Sequence, residues 1–298
     1  MQKILVLRGG ALGDFIVTLP ALAGLRARWP AARIELAGNA RAAELARNRG
    51  LLDAVHSQHE AHWGALFGDA PLNLALAVWL AEFDLVLSYW PDPDGALSRK
   101  FPVRAGQTFL AAAALPTEAP AAAHYCAPLR QLGIEPGALH HPLSPVNARP
   151  FTETSAAVAI HPGSGSSRKN WPVERWLELM RTLPSPILLI LGEAERECWA
   201  PLTSAGIAAH VRPAVDLPLE TLVTQLGGCR LFLGHDSGIS HLAAACEVPA
   251  ILLFGPTDPA MWAPPVPTVR VLQPGPTLEM ISVADVAREV AAVLAVRT

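Results

Sequence analysis

Short apolar runs, each stopped by a glycine or a polar turn and followed by helical spacing, recur along this chain. KILVLRG (3–9) is the first, and a glycine turn separates it from an amphipathic stretch over 15–29. RIELAG (33–38) and DLVLSYW (84–90) read as further strands, with a helix at 40–49 between them. The segment 107–133 reads as helical in patches, interrupted by Pro116, Pro120 and Pro128. The pattern then restarts. AAVAIHPG (156–163), PILLILG (186–192), RLFLGHDS (230–237) and PAILLFG (249–255) read as strands. The stretches 171–183, 219–229, 238–246 and 283–296 read as helices, and Pro172 suits the first turn of the earliest of these. Strands that alternate with helices predict parallel sheets with crossover helices.

The restart implies two domains, an expectation in keeping with a length of 298 residues. The Pro-, Ser- and Thr-rich stretch LHHPLSPVNARPFTETS (139–155) is the linker candidate. The expected division is 1–148 and 149–298, with the last helix packing back on the first domain. Open parallel sheets bind ligands at the carboxyl ends of their strands. Two such domains facing each other would enclose a cleft.

Composition narrows the possibilities. Hydrophobic residues make up 51% and charged residues 16%, enough for filled cores and contrary to disorder. The longest uncharged apolar run, PLNLALAVWLA (71–81), is too short for a bilayer span of about 20 residues. The N-terminus breaks at Gly9-Gly10 and carries Asp14, so it reads poorly as a signal peptide. Cys126, Cys198, Cys229 and Cys246 are widely spaced without a C-x-x-C pair, as expected of reduced core thiols in a cytosolic protein. Net charge is −3, which offers no nucleic-acid footprint. Basic residues still cluster at Arg26, Arg28, Arg33, Arg41, Arg47 and Arg49, and again at Arg99, Lys100 and Arg104. Either they are a solvated surface or they form a face for an anionic partner.

Four strand-end loops could carry chemistry. HDSGISHLAAA (235–245) puts Asp236, Ser237 and Gly238 at the start of a helix, with His241 one turn on. A helix N-terminus favours phosphate, and glycine lets a ligand approach the backbone. The alternative is a plain helix cap. HPGSGSSRKNWP (161–172) is a glycine–serine loop, including Ser164, with Arg168 and Lys169 before a helix; it suits a phosphate but matches neither a P-loop nor a dinucleotide fingerprint. LGEAERE (191–197) places Glu193 after Gly192, where a carboxylate can bind ribose hydroxyls or merely begin a helix. FGPTDPAMWAPP (254–265) reads as a proline-stiffened turn. In the first half, RGGALGDF (8–15) carries Asp14, either an N-cap or a general base. The acids of DPD (92–94) tempt a metal reading, but the flanking prolines suggest a loop.

LGDFIVTLPAL (12–22), HPGSGSSRKNWP (161–172) and DSGISHLAAACEVPAILLFGPTDP (236–259), in that order, resemble the bacterial heptosyltransferases of glycosyltransferase family 9. The resemblance implies a GT-B fold, two Rossmann-like parallel-sheet domains facing across a cleft. It implies transfer of heptose from an ADP-sugar to the inner core of lipopolysaccharide, with inversion, no cofactor and no required metal. It makes Asp14 the general base and Lys169 the basic residue at the donor phosphate and ribose. Glu193 becomes the ribose acid, with Glu195 as fallback. Asp236, Ser237, Gly238 and His241 become the diphosphate loop, with Ser164 also on the donor side. Arg8, Gly9, Gly10 and Gly13 fall on the acceptor side. There the chain departs from the family, which often has hydroxyl residues before the Gly-Asp pair and a histidine where Val17 stands. The acceptor expected is an anionic glycolipid or saccharide, not nucleic acid. The location expected is cytoplasmic, with at most peripheral contact at the inner membrane face. A nucleotide-sugar epimerase or hydrolase, or a non-catalytic nucleotide-sugar binding protein, remains the alternative.

Overall fold

A computed structural model describes residues 1–146, 158–183, 186–192, 195 and 211–295. The chain divides into two units, Met1–His141 and Pro142–Thr298, and the division falls inside the expected linker.

The first unit carries five parallel strands: β1 (Lys3–Arg8), β2 (Arg33–Gly38), β3 (Ala54–Ser57), β4 (Leu85–Ser88) and β5 (Thr108–Ala111). Their order is β3-β2-β1-β4-β5. The order reverses at β1, so the β1–β4 boundary is the topological switch point, where loops diverge and ligands settle. Helices α1 (Leu12–Ile16), α2 (Leu19–Arg28), α3 (Ala40–Arg47), α4 (Leu74–Ala81) and α5 (Ala121–Cys126) complete this unit. The amphipathic stretch over 15–29 is not one helix. Pro20 lies in the first turn of α2. Its missing N–H and its ring would break a continuous helix there. Asn39 and Asn73 cap α3 and α4, accepting from Ala42 N–H at 3.1 Å and Leu76 N–H at 2.8 Å.

The second unit carries β6 (Val158–Ile160), β7 (Ile187–Leu191), β8 (Val211–Val215), β9 (Leu231–His235), β10 (Ala250–Leu253) and β11 (Val269–Leu272), again all parallel. The order β11-β10-β9-β6-β7-β8 puts its switch point between β6 and β9. Its helices are α6 (Val173–Thr182), α7 (Leu219–Leu226), α8 (Gly238–Ala245), α9 (Pro259–Trp262) and α10 (Val283–Ala295). Pro172 sits one residue before α6, as its N-cap, and not in its first turn. Trp176, Leu179 and Met180 form the buried stripe of α6 and join Leu189, Leu233 and Ile251 in the core.

The last helix, α10, buries apolar residues in the core of the second unit. Val286 and Val290 are buried in the same core as Trp176, and Arg230 donates to the Leu294 carbonyl at 3.2 Å. The edge strands β3, β5, β8 and β11 carry no clear sequence signal. β5 lies in the segment read as helical, where pairing with β4 overrides the local alanine-rich propensity. Among the described residues no helix is long and apolar enough to cross a membrane.

Candidate functional site

In the first unit the site is built at the end of β1. Arg8 closes that strand, is 4% exposed and lies 4.2 Å above the Tyr125 ring. Its Nε donates to Thr18 Oγ1 at 2.9 Å and to the Asp14 carbonyl at 3.1 Å, and its Nη2 reaches Asp14 Oδ1 at 3.3 Å. Nη1 donates to the Ala114 carbonyl at 3.4 Å. Arg8 thus holds Asp14 through both its backbone carbonyl and its carboxylate. A buried guanidinium must satisfy its donors internally, and its planar fork does so.

Asp14 sits in the first turn of α1, its side chain 31% exposed. Its Oδ2 accepts from Ala11 N–H at 2.9 Å. It is therefore both a capping group and a partly exposed carboxylate, because two oxygens offer about four lone-pair sites and only two are engaged here. Gly10 has φ +105°, and a Cβ there would lie 2.6 Å from Asp14 Oδ2. Glycine is needed at that turn for its conformation and for the approach of the carboxylate. Two residues that sequence reasoning missed clamp the Gly10 peptide. Gln58 Oε1 accepts its N–H at 3.1 Å and Asn39 Nδ2 donates to its carbonyl at 3.2 Å. Gly9 runs beside Trp90 and Gln58, while Gly13 lies within α1 and its carbonyl accepts from Val17 N–H at 3.0 Å.

In the second unit two loops leave β6 and β9 side by side at the switch point. Lys169 closes a short 3-10 turn (Ser167–Lys169) after β6, and Asp236 follows β9. Lys169 Nζ and Asp236 Oδ2 meet at 3.1 Å across 67 residues of sequence. Asp236, read as part of the diphosphate loop, thus fixes the ammonium of Lys169 next to the start of α8. Ser237 caps α8, its Oγ accepting from Ser240 N–H at 3.3 Å. The first N–H groups of a helix have no intrahelical acceptor, so those of Gly238 and Ile239 face outward with the positive end of the helix.

Behind this terminus lies a polar network. Glu195 Oε1 is 3.4 Å from His161 Nε2, and His161 Nδ1 is 3.3 Å from Ser237 Oγ. One buried ring thus links the carboxylate at Nε2 to the Ser237 hydroxyl at Nδ1. Burial alone would raise the Glu195 carboxyl, but the bonds from His161 and the Gly192 N–H hold it below its ordinary value. At 3% exposure Glu195 is a brace, and the fallback ribose role does not fit it. Glu193 lies outside the described residues. A Cβ on Gly163 would fall 1.8 Å from Glu195 Oε1, so the glycine makes room for this brace.

His235, which sequence reasoning also missed, ties the two loops together. Its Nε2 accepts from Trp171 N–H at 2.9 Å, and Nδ1 lies 3.5 Å from the Gly163 carbonyl. Burial pushes its imidazole down to about 3. A signal was present: AIHPG and LGHDS each end an apolar strand in histidine, and a polar residue closing a buried strand calls for a partner.

Other expected site residues fall differently. Ser164 is buried in its own loop and braces it, its Oγ 2.6 Å from Asn170 Oδ1 and 2.8 Å from the Ser166 carbonyl. His241 lies one turn into α8 from Ser237 and is 7% exposed, as buried as Asp236 and Ser237 at 8%. Asp92 accepts from Leu97 N–H, Ser98 N–H and Ser98 Oγ; its carboxylate organises a turn, against the metal reading of DPD. Among the described residues no group of three or more His, Cys, Asp or Glu could hold a metal ion. The basic clusters are partly neutralised in place: Arg26 pairs with Asp53 at 2.6 Å, Arg104 with Asp84 at 2.8 Å and Arg99 with Asp69 at 3.6 Å. The thiols of Cys126 and Cys229 are pushed up by burial to about 11 and about 12, as core cysteines should be. Cys198 lies outside the described residues.

The model of glycosyltransferase family 9 (heptosyltransferase) matches residues 131–283, just over half of the chain. Lipopolysaccharide heptosyltransferase 1 of Escherichia coli K12 is 35% identical over 108 residues, which are 35% of this chain and 33% of that protein. The matched segment thus spans about a third of the length of that curated relative. Among solved structures, a family 9 glycosyl transferase from Veillonella parvula superposes with a TM-score of 0.79 at 19% identity, covering 98% of this chain and 97% of that one. The E. coli heptosyltransferase WaaC with ADP superposes with a TM-score of 0.76 at 20% identity, covering 98% of this chain and 100% of that one. At such identities the superpositions speak for fold, and the fold is GT-B.

Proposed function

The chain belongs to glycosyltransferase family 9, and on that premise we propose that it moves heptose from ADP-heptose to a lipopolysaccharide-core-type saccharide acceptor, inverting the anomeric carbon. The observation that carries the reading is the Lys169–Asp236 pair at 3.1 Å beside the N-terminus of α8, inside the segment that matches the family. The ammonium and the outward N–H groups of Gly238 and Ile239 form a fixed positive site for a diphosphate. Asp236 is the positioning residue of that site, and Glu193 is proposed to accept the ribose hydroxyls.

Asp14 takes the proton of an acceptor hydroxyl, and the freed oxygen attacks the anomeric carbon. The bond from that carbon to the diphosphate oxygen breaks, and ADP leaves with the electron pair. Its growing negative charge falls on Lys169 and the helix N–H groups. Arg8 and the Ala11 N–H aim the carboxylate and leave it lone pairs for the incoming proton.

Titration calorimetry and a transfer assay on the same variants test this. Asp14→Asn should keep its affinity for ADP-heptose while transfer falls by about 10²–10⁴-fold. Lys169→Ala should weaken both ADP and ADP-heptose. Full turnover by Asp14→Asn would remove the base assignment, and release of free heptose without acceptor would turn the reading toward a hydrolase.

A further inference from the structure

We propose that the recess between the loops after β10 and β11 is a sugar-hydroxyl subsite, which takes the glycosyl group of the donor whose diphosphate rests at α8. The inference rests on the donor reading above and adds where its sugar is recognised.

The recess has a volume of about 440 Å³, within the range of small-molecule sites, about 300–1,000 Å³. It opens at the carboxyl edge of the sheet that carries the Lys169–Asp236 pair. β10 pairs with β9 so that Leu253 stands opposite His235, and β11 continues the sheet with Leu272 opposite Leu253. The chain after β10 therefore departs beside Asp236, about one strand spacing or ~5 Å away. A sugar bonded to a diphosphate at α8 reaches that far.

The lining has the chemistry of a site for neutral polyols. Pro256, Pro259 and Pro276 form stiff apolar walls, and no cation lines the recess. Three polar side chains have capacity to spare. Gln273 spends its amide protons on the Gly255 carbonyl at 2.9 Å and the Thr257 carbonyl at 3.0 Å, which fixes the loop and leaves Oε1 as an acceptor. Asp258 Oδ1 accepts from Ala260 N–H at 2.9 Å, leaving Oδ2. Thr257 Oγ1 is shielded from solvent and hydrogen-bonds to none of the described residues. A shielded hydroxyl without a partner costs stability. Rotation about χ1 toward a ligand hydroxyl in the recess would relieve that cost. The polarity of the edge then orients the donor. The β6 side carries the cation and takes the phosphates, while the β10–β11 side carries a carboxylate, an amide oxygen and a hydroxyl, which suit sugar hydroxyls and repel phosphate.

The test compares ADP with ADP-heptose by titration calorimetry on the full chain and on Thr257→Val and Asp258→Asn. Wild type should bind ADP-heptose more tightly than ADP. Asp258→Asn should cut that advantage by about tenfold and Thr257→Val by about fivefold, as loss of a charged and of a neutral hydrogen bond predicts. ADP itself should bind within about twofold of wild type in both. Thr257→Val should melt no lower than wild type, because the hydroxyl it removes has no partner among the described residues. Variants that keep the full advantage of ADP-heptose would overturn the subsite and leave the donor reading standing. Equal losses for ADP and ADP-heptose would overturn it too, by giving the recess to the nucleotide. A wild-type chain that binds no ADP compound would fell the donor reading and the subsite together.

Discussion

His235 is a buried imidazole that stays neutral, and it makes stability depend on pH. Burial above all, helped by His161 and Lys169 and opposed by the Gly163 carbonyl and Glu195, lowers its pKa from the ordinary 6.5 to about 3. Below pH 6.5 the unfolded chain binds a proton that the folded chain refuses. The stability present above 6.5 is therefore lost as pH falls toward 3. Glu35 acts in a lower window. Burial opposes its ionisation, but His56, Arg33 and Lys3 hold it at about 2, so its contribution is lost from about pH 4.5 downward. In a melting series from pH 7 to pH 5 His235 titrates apart from Glu35 but together with His141, whose pKa burial also lowers, so the variant is needed to tell them apart. The melting temperature of the wild type should drop across that range, and His235→Asn, though less stable at pH 7, should show a flatter dependence. An unchanged slope in the variant would place the titration elsewhere.

At the scale of elements, the turn between β1 and α1 does the most with the fewest residues. Gly10 holds φ +105°, its peptide is clamped by Gln58 and Asn39, and the space where its Cβ would stand is filled by Asp14. Gly10→Ala must push the carboxylate away while leaving the sheet untouched. We expect transfer to fall by about 10²-fold, the scale of a 1 Å misplacement, with affinity for ADP-heptose retained. Loss of donor affinity in this variant would show that the turn serves the donor instead. The glycines and Asp14 are plain in RGGALGDF, but their clamp is not, because Gln58 lies 48 residues and Asn39 lies 29 residues from Gly10.

At the scale of the molecule, the second unit is built to stand by itself. It has its own six-stranded sheet, a core running from Val158 to Val290, and both partners of the Lys169–Asp236 pair. Residues 142–298 expressed alone should therefore fold cooperatively and bind ADP, as a thermal shift on adding ADP would report. Ligand at about 100 times its dissociation constant adds about 2.7 kcal/mol. A folded fragment with no shift would mean that the nucleotide site needs the first unit.

The amino-acid sequence by itself determined which stretches are strands and helices in the buried middle of each sheet, because burial on both faces demands unbroken apolar runs such as LVL, ILLIL and LFL. It also determined which loops carry glycine, acid and lysine at strand ends, and so Asp14, Lys169 and Asp236 could be singled out. The edge strands stayed hidden, since an edge strand such as VRPAV is held mainly by its one neighbour and carries Pro213 and Arg212. Only the tertiary structure decided what those loop residues do. Crossover connections set β6 between β9 and β7, and those adjacencies turned Asp236 into the partner of Lys169, His235 into the tie between loops, and Glu195 into the partner of His161. Periodicity is a property of neighbours along the chain. Hydrogen bonds across a switch point belong to residues that only packing brings together.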